Sequence, residues 1–315
     1  MSILELYKFL KESKRLKKLN IETYKTRAAL LNSHNKSIKK YPNLAMFAFD
    51  RLGVEISLHG VYEKEILENL KSCVFDKIDT QNSVCLDIGA NIGNHTLNFS
   101  QFFKQIYSFE PHPEIFQLLK FNIRNSKNVQ IFEIGASNKN AGMILVSNQN
   151  TSYGSSQLSN KKNLSPDINI STFNVQVKKL DDFFNNINKK DNISFIKLDV
   201  ENHELEALHG MNKILKKNSP IICFEQHADH FDNYDEELSS TVINFLKDNE
   251  YLFFYELLSS RDWKFFNNYH PLIEKIIKLF EVLLIGTPKI TNKINRINKF
   301  SKKKYLAIIA SKKQL

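Results

Sequence analysis

The stretch Val84-Cys-Leu-Asp-Ile-Gly-Ala-Asn-Ile-Gly-Asn-His-Thr96 decides how this chain folds. It predicts a short apolar strand from Ser83 to Ile88, a turn that holds Gly89 and Gly93, and an amphipathic helix that ends near Lys104. A strand, a glycine turn and a helix in this order open a nucleotide-binding α/β sheet, because glycines let the backbone approach a ligand closely.

Charge around this turn indicates which nucleotide it accepts. The dinucleotide fingerprint G-x-G-x-x-G would need glycine where Asn91 stands, and Asp87 lies two residues before Gly89. A carboxylate there repels a pyrophosphate but attracts the sulfonium and ammonium groups of S-adenosylmethionine. Glu110, at the end of the next strand and 17 residues beyond Gly93, lies where a carboxylate can accept both ribose hydroxyls.

Strands and helices alternate along the rest of the chain, which predicts a parallel sheet with helices on both faces. We also expect a strand or hairpin over 47–58, before this alternation begins, and a helix over 235–249, towards its end. The last strand, Tyr305–Ser311, is expected to pair antiparallel with residues 251–257. We therefore divide the chain into a basic helical extension, 1–59, and a main domain, 60–315, with an insertion over 259–304.

The net charge of +10 lies entirely in the two ends of the chain. Residues 1–40 hold 11 basic and 3 acidic side chains, and residues 261–315 hold 13 and 3; of the chain's 44 and 34, this leaves 20 and 28 for residues 41–260. An acidic middle disfavours a nucleic-acid substrate, because such proteins place Lys and Arg around the cleft. The basic ends could still dock on an anionic surface.

Other features concern location and partners. Three cysteines without metal-site spacing indicate structural thiols in a reducing compartment. The charged N-terminus does not have the pattern of a signal peptide. We therefore expect a cytoplasmic protein. The apolar run Leu272–Ile285 is too short to span a bilayer, which takes about 20 residues. It predicts a buried or oligomer-forming helix or, with the basic residues after it, peripheral contact with the inner membrane face.

Seven stretches resemble one known family, the FkbM-type S-adenosylmethionine-dependent methyltransferases of the class I methyltransferase fold. They are GVYEKEI (60–66), VCLDIGANIGNHT (84–96), YSFEPHP (107–113), EIGASN (133–138), SYGSSQL (152–158), FIKLDVENHELEALHGMNKIL (195–215) and IICFEQH (221–227). The resemblance implies a Rossmann-like, seven-stranded, mostly parallel sheet whose last strand is antiparallel. One position departs from the family pattern: Asn202 stands where glycine usually follows D-x-E.

The same resemblance implies a set of cofactor residues. Asp87, Gly89, Asn91 and Gly93 would hold the methionine part, Glu110 the ribose, and Ala136 or its neighbour Ser137 the adenine. Glu63 and Asn94, from the first two matching stretches, complete the cofactor set.

Ionisable residues at the ends of two neighbouring strands are the candidates for catalysis. Asp199 and Glu201 end one strand, and Glu225 and His227 end the next, so these groups should converge beside the cofactor. Methyl transfer to an alcohol needs a group that takes the proton, and we expect Asp199, Glu201 or His227 to act as that base. Lys197 would orient a carboxylate or a substrate oxygen. A divalent metal held by Asp199, Glu201 and Glu225 is a rival interpretation that we do not favour.

These features lead to a functional hypothesis: an O-methyltransferase that acts on a sugar hydroxyl of a surface glycan or its precursor. The alternatives are a nucleic-acid methyltransferase that docks through its basic ends, an O-methyltransferase of small polyketide-type molecules, and a non-catalytic binding protein. Either a monomer or a homo-oligomer fits the sequence.

Overall fold

The computed structural model describes residues 43–47, 50–148, 156–159, 170–185, 192–234, 237–262 and 289–315. The predictions for residues 1–40 and for Leu272–Ile285 lie outside these ranges, as does most of the loop expected over 148–163. The chain forms two compact units, Met1–Tyr62 and Glu63–Leu315, and each is described by itself.

In the first unit the described residues form one helix, α1 (Arg51–His59). Gly60 ends it in the left-handed conformation, at φ 80°, and its N–H bonds to the carbonyl of Ile56. Glycine is the usual residue at such a helix end. The strand or hairpin expected over 47–58 was therefore wrong. A short apolar run fits both the two-residue repeat of a strand and the 3.6-residue repeat of a helix, and Gly60 at its end indicates the helix.

Helices and strands alternate through the second unit. The helices are α2 (Lys64–Cys73), α3 (Asn94–Phe99), α4 (Pro113–Asn122), α5 (Leu180–Asn185), α6 (Glu204–His209), α7 (Asn212–Asn218) and α8 (Thr241–Asp248). The strands are β1 (Val84–Ile88), β2 (Gln105–Phe109), β3 (Val129–Phe132), β4 (Gly135–Ala136), β5 (Ala141–Asn148), β6 (Gln157–Ser159), β7 (Ile170–Lys178), β8 (Ile193–Leu198), β9 (Ile221–Gln226), β10 (Asp232–Tyr234), β11 (Glu237–Ser239), β12 (Phe253–Asp262), β13 (Lys289–Arg296) and β14 (Tyr305–Ser311).

Eight of these strands form the main sheet, in the order β13-β12-β14-β9-β8-β1-β2-β3. The five strands from β9 to β3 are parallel. Strand β14 runs antiparallel to β12, as predicted, and also to β9. The central strands β1, β8 and β9 are buried along most of their length and mainly apolar, which is typical of a sheet covered by helices. This topology confirms a Rossmann-like class I methyltransferase fold.

The eighth strand, β13, falls inside the predicted insertion and was not anticipated. It pairs antiparallel with β12 at the edge of the sheet and reads KITNKINR, a polar sequence with two lysines. Edge strands are commonly polar and lysine-bearing, because this discourages pairing with other chains, so their hydrophobic signal is weak.

A second sheet contains four strands, in the order β4-β7-β5-β6. Met143, Leu145, Val175 and Val177 form its small apolar core. Gly135 and Ala136 of β4 follow β3 closely, so this sheet begins where the main sheet ends.

The helix expected over 235–249 starts later than predicted. Ser240 is its N-cap, and its hydroxyl accepts a hydrogen bond from the N–H of Ile243 at 3.2 Å. The residues before it form the hairpin β10–β11 instead. A serine cap therefore marks the start more reliably than the acidic residues upstream did. Across the described ranges, we find no helix with the length and apolarity needed to cross a bilayer.

Candidate functional site

The turn after β1 can be made only with glycine at two positions. Gly89 has φ +80°, and a Cβ there would lie 1.7 Å from the carbonyl oxygen of Asp199. Gly93 has φ +89°, and a Cβ there would lie 2.7 Å from Leu119 Cδ1. The N–H groups of Gly89 and Ala90 both bond to the carbonyl of Phe109, which fixes the turn to the end of β2. The turn is thus wedged between the ends of its two neighbouring strands.

Glu110 lies at the end of β2 and is held by this turn. One of its carboxylate oxygens accepts a hydrogen bond from the N–H of Asn91 at 2.9 Å, and the other accepts one from the N–H of His112 at 2.8 Å. Burial raises the pKa of Glu110 to about 7, although these two hydrogen bonds oppose the rise. Each oxygen keeps a lone pair for a further donor, so the carboxylate can receive two ligand hydroxyls.

A group of three charges lies beneath the turn, of which Asp87 and Lys197 are buried and Asp199 is partly exposed. Lys197 Nζ is 3.1 Å from Asp199 Oδ2, 3.9 Å from Asp87 Oδ1, and donates to the Gly89 carbonyl at 3.2 Å. Burial would lower the pKa of Lys197, but the surrounding carboxylates outweigh it and raise that pKa. Burial would likewise raise the pKa of Asp199, but Lys197 holds it below its usual range. Both groups are therefore charged near neutral pH.

Asp87 is fully buried, and its side chain faces Thr96 of α3. Its Oδ2 accepts a hydrogen bond from Thr96 Oγ1 at 2.6 Å, and Thr96 in turn is 2.9 Å from Ser108 Oγ. Its Oδ1 has no hydrogen-bond partner among the described residues. Asp87 therefore places a buried negative charge beside Lys197.

The side chains of Glu63 and His95 contact each other, a pairing that the sequence did not reveal. Glu63 immediately precedes α2 and His95 lies in the first turn of α3, and their side chains are 3.3 Å apart. His95 was not among the predicted site residues. The only indication in the sequence that His95 belongs to the site was its position in the stretch 84–96, next to Asn94. Both residues are buried.

Glu201 and Asn202 both have left-handed backbone, with φ 51° and 71°. Asparagine tolerates this conformation better than other non-glycine residues, so Asn202 can replace the usual glycine without changing the turn. Glu63 and Asn91 share the conformation, at φ 52° and 51°. Of the six such residues in the described ranges, only two, at the ends of helices α7 and α8, lie elsewhere. Strain of this kind gathers at functional sites.

Carboxylates crowd around Glu201. Burial, and then the negative charges of Asp199, Glu225 and Glu204, raise its pKa to about 7, while Lys304 opposes the rise. At the end of β9, Glu225 Oε1 is 3.7 Å from His227 Nε2 and forms an ion pair with Lys304. The structure thus brings the predicted groups of β8 and β9 to one edge and adds Lys304.

Two cavities open at this edge, and Asp199 lines both. The first is a cleft that encloses about 590 Å³ when the solvent space at its mouth is included. Its polar lining includes Glu110, Asn91 and Glu201, and its apolar walls are Phe109, Ile115, Ala136, Leu145 and Leu158. Apolar walls suit a flat base, and Glu110 suits ribose hydroxyls, so this cavity fits a nucleoside.

The second cavity, of about 340 Å³, lies on the other side of Asp199. Glu63, His95, Lys197 and Glu225 line its polar part, and Ile66, Leu70 and Leu306 are among its apolar residues. Its charges suit a group that carries both an ammonium and a carboxylate.

Four predicted cofactor residues line neither cavity: Asp87, described above, and Gly93, Asn94 and Ser137. Gly93 caps α3, Asn94 is buried in the first turn of that helix, and Ser137 Oγ is 2.9 Å from His203 Nε2. In the described part of the chain, no three His, Cys, Asp or Glu residues, Asp199, Glu201 and Glu225 included, are grouped so that they could hold a metal ion.

The order of the strands in the main sheet and the glycine turn after β1 define the Rossmann-like class I methyltransferase fold. Residues 87–253 match the family described as the Methyltransferase FkbM domain, and the chain belongs to this family.

Individual relatives are distant. "Methyltransferase 1" of Beauveria bassiana (strain ARSEF 2860) is 26% identical over 180 residues, which cover 52% of this chain and 68% of that protein. The crystal structure of methyltransferase FkbM from Methylobacillus flagellatus KT is 17% identical with a TM-score of 0.35, over 54% of this chain and 39% of that one. This chain therefore spans about two fifths of that protein. Precorrin-6y C5,15-methyltransferase from Geobacter metallireducens GS-15 is 11% identical with a TM-score of 0.39, over 80% and 93%.

Proposed function

We propose that this protein is an S-adenosylmethionine-dependent O-methyltransferase that acts on a sugar hydroxyl of a surface glycan or its precursor. The observation that carries the proposal is the position of Glu201 beside Asp199, where the two cavities meet. Its pKa of about 7 is suited to taking a proton near neutral pH.

The first cavity would hold the nucleoside part of the cofactor. Glu110 would accept hydrogen bonds from the ribose hydroxyls, because its oxygens are already oriented by the N–H groups of Asn91 and His112. The adenine would lie against the apolar walls around Ala136, with Leu145 and Leu158 supplied by the small sheet.

The second cavity would hold the methionine end. Asp199 and Glu63 suit the ammonium group, and Lys197 and His95 suit the carboxylate. When bound, S-adenosylmethionine supplies a methyl group on a positively charged sulfur. The excess of carboxylates at the junction favours that charge.

Glu201 would take the proton from the acceptor hydroxyl. An alcohol is a weak nucleophile, and a carboxylate of matched pKa allows the proton to leave as the new carbon–oxygen bond forms. Asp199 is a poorer base, because Lys197 holds its pKa low, and Lys197 stays protonated. Asp199 and Lys197 would instead position the cofactor.

Charge at the site supports a neutral acceptor such as a sugar. The groups around Glu201 are mostly carboxylates, with Lys304 as the opposing cation. Such a site repels a phosphate backbone, which argues against the nucleic-acid alternative. The basic ends and residues 272–285 would then serve to bring the enzyme to a membrane surface that carries lipid-linked substrate.

Mass spectrometry of surface polysaccharide tests the whole proposal. Cells that lack the gene should lose a methyl group from a sugar, and the wild-type gene should restore it. The Glu201→Gln variant should fail to restore the methyl group. The control variant Glu256→Gln, which removes a carboxylate of β12 that pairs with Lys303, should restore it.

An unchanged polysaccharide in the deletion strain would contradict the glycan acceptor. If a methylated small molecule disappeared instead, the polyketide-type alternative would replace it. Methylation that survives in the Glu201→Gln strain would remove Glu201 as the base. Calorimetry with purified protein tests the cofactor separately, because an absence of S-adenosylmethionine binding would contradict the proposal at its root.

A further inference from the structure

Two neighbouring lysines before β14 pair with different carboxylates. Lys303 Nζ contacts both oxygens of Glu256, at 2.7 and 2.9 Å, on strand β12. Lys304 forms its ion pair with Glu225 Oε1, at the end of β9 and beside the second cavity. Their exposed fractions are nearly the same, 48% and 47%, so the two differ mainly in what they face.

The segment that carries these lysines is held in place by its own hydrogen bonds. The N–H of Ser301 donates to Tyr305 Oη at 3.0 Å, and the Ser301 hydroxyl is also 3.0 Å from it. Tyr305 is buried at the start of β14, opposite Gln226 of β9. Lys304 is therefore fixed at its backbone next to the end of β9.

The charged groups that act on Glu201 come from four elements. Asp199 follows β8, Glu204 lies in the first turn of α6, Glu225 ends β9, and Lys304 precedes β14. The first three are carboxylates, and they disfavour the charged form of Glu201 together with its burial. Lys304 opposes them, and its charge also acts on Asp199.

We propose that Lys304 is a positioning residue for methyl transfer, which holds the Glu225 carboxylate at the end of β9 and supplies the cation that faces the carboxylates around Glu201. Without this cation a larger fraction of Glu201 would be protonated, and a protonated carboxyl cannot take a proton from the acceptor. The inference rests on the proposed function, because it assumes that Glu201 is the base.

Titration of Glu201 itself tests the inference without any acceptor. Protein labelled with ¹³C at the glutamate side-chain carboxyl is followed by NMR from pH 5 to pH 9, and Glu201→Gln identifies the resonance by its loss. In the wild type the resonance should titrate at about pH 7. In Lys304→Gln the midpoint should rise by roughly half a pH unit, the size expected of a half-exposed charge.

Two variants show whether the effect belongs to this charge. Lys303→Gln removes the neighbouring lysine and should leave the midpoint where it is in the wild type. Lys304→Arg keeps a cation in place and should do the same. Because Lys304 is on the surface, Lys304→Gln should melt within a degree or two of the wild type.

The inference is overturned if Lys304→Gln titrates like the wild type, or if Lys303→Gln shifts the midpoint as much. Failure of the proposed function would look different. In that case the shift could still be present, but the wild-type protein would not bind S-adenosylmethionine in calorimetry and the surface glycan would keep its methyl group.

Discussion

Gly89→Ala should destabilise the protein and abolish cofactor binding together. The new Cβ would lie 1.7 Å from the carbonyl oxygen of Asp199 and 2.8 Å from its carbonyl carbon, both backbone atoms that cannot rotate away. A φ of +80° adds about 1–2 kcal/mol for a residue with a Cβ. Relieving the overlap adds about 1–3 kcal/mol. We therefore expect a loss of about 2–5 kcal/mol in the free energy of unfolding.

The overlap also falls on the residue that joins the two cavities. Movement of Asp199 would disturb its ion pair with Lys197 and the bond from its N–H to the Ile88 carbonyl, at 3.0 Å. Urea denaturation gives the stability change, and calorimetry gives the affinity for S-adenosylmethionine.

Gly142→Ala is the matched control for this experiment. Gly142 lies in β5 without a positive φ, and the nearest atom to its added Cβ would be Gln176 Nε2, at 3.7 Å. Alanine there should change stability by no more than about 0.5–1 kcal/mol. The reasoning would be refuted if Gly89→Ala unfolded within 0.5 kcal/mol of the wild type, by this same measure, and still bound the cofactor.

Three further changes probe the rest of the site. Glu110 has a pKa of about 7, and only its ionised form can accept hydrogen bonds from two hydroxyls. The affinity for S-adenosylmethionine, measured by calorimetry, should therefore be about fivefold lower at pH 6 than at pH 7. Glu110→Gln should remove this pH dependence, and a wild-type affinity independent of pH would contradict the prediction. In urea denaturation Asn202→Gly should stay within about 0.5 kcal/mol of the wild type and Asn202→Val should lose about 1–2 kcal/mol, whereas equal stabilities would show that the left-handed turn is not required. His95→Gln should weaken binding of S-adenosylmethionine about tenfold but leave binding of adenosine unchanged, because His95 lines only the second cavity; an equal loss for both ligands would refute that division.

The turn and its neighbours could be predicted because their signals are local. Gly89, Gly93 and Glu110 each follow a strand within a few residues, and a strand, a tight turn and a carboxylate leave a readable spacing. The structure brings Glu110 and Glu201 to the first cavity and Asp199 to the junction of the two cavities. Whether they act as proposed stays a prediction.

Contacts between distant segments left no such signal. His95 meets Glu63 across 32 residues, and Lys304 meets Glu225 across 79, and neither pair has a sequence pattern of its own. The strand β13 was missed because an exposed edge tolerates polar residues. Asn202 departs from the family pattern in sequence. Its backbone is left-handed, a conformation that glycine also adopts readily, so asparagine can take the place of glycine here.

The position of β14 has a consequence for how the protein is made. This strand lies between β9 and β12, yet both of those strands are synthesised before it. Until residues 305–311 leave the ribosome, β9 and β12 each keep an unpaired edge, and much of β9 is apolar. Such edges pair readily with other chains. The growing polypeptide would therefore be most open to aggregation, and most in need of a chaperone, just before this strand is made.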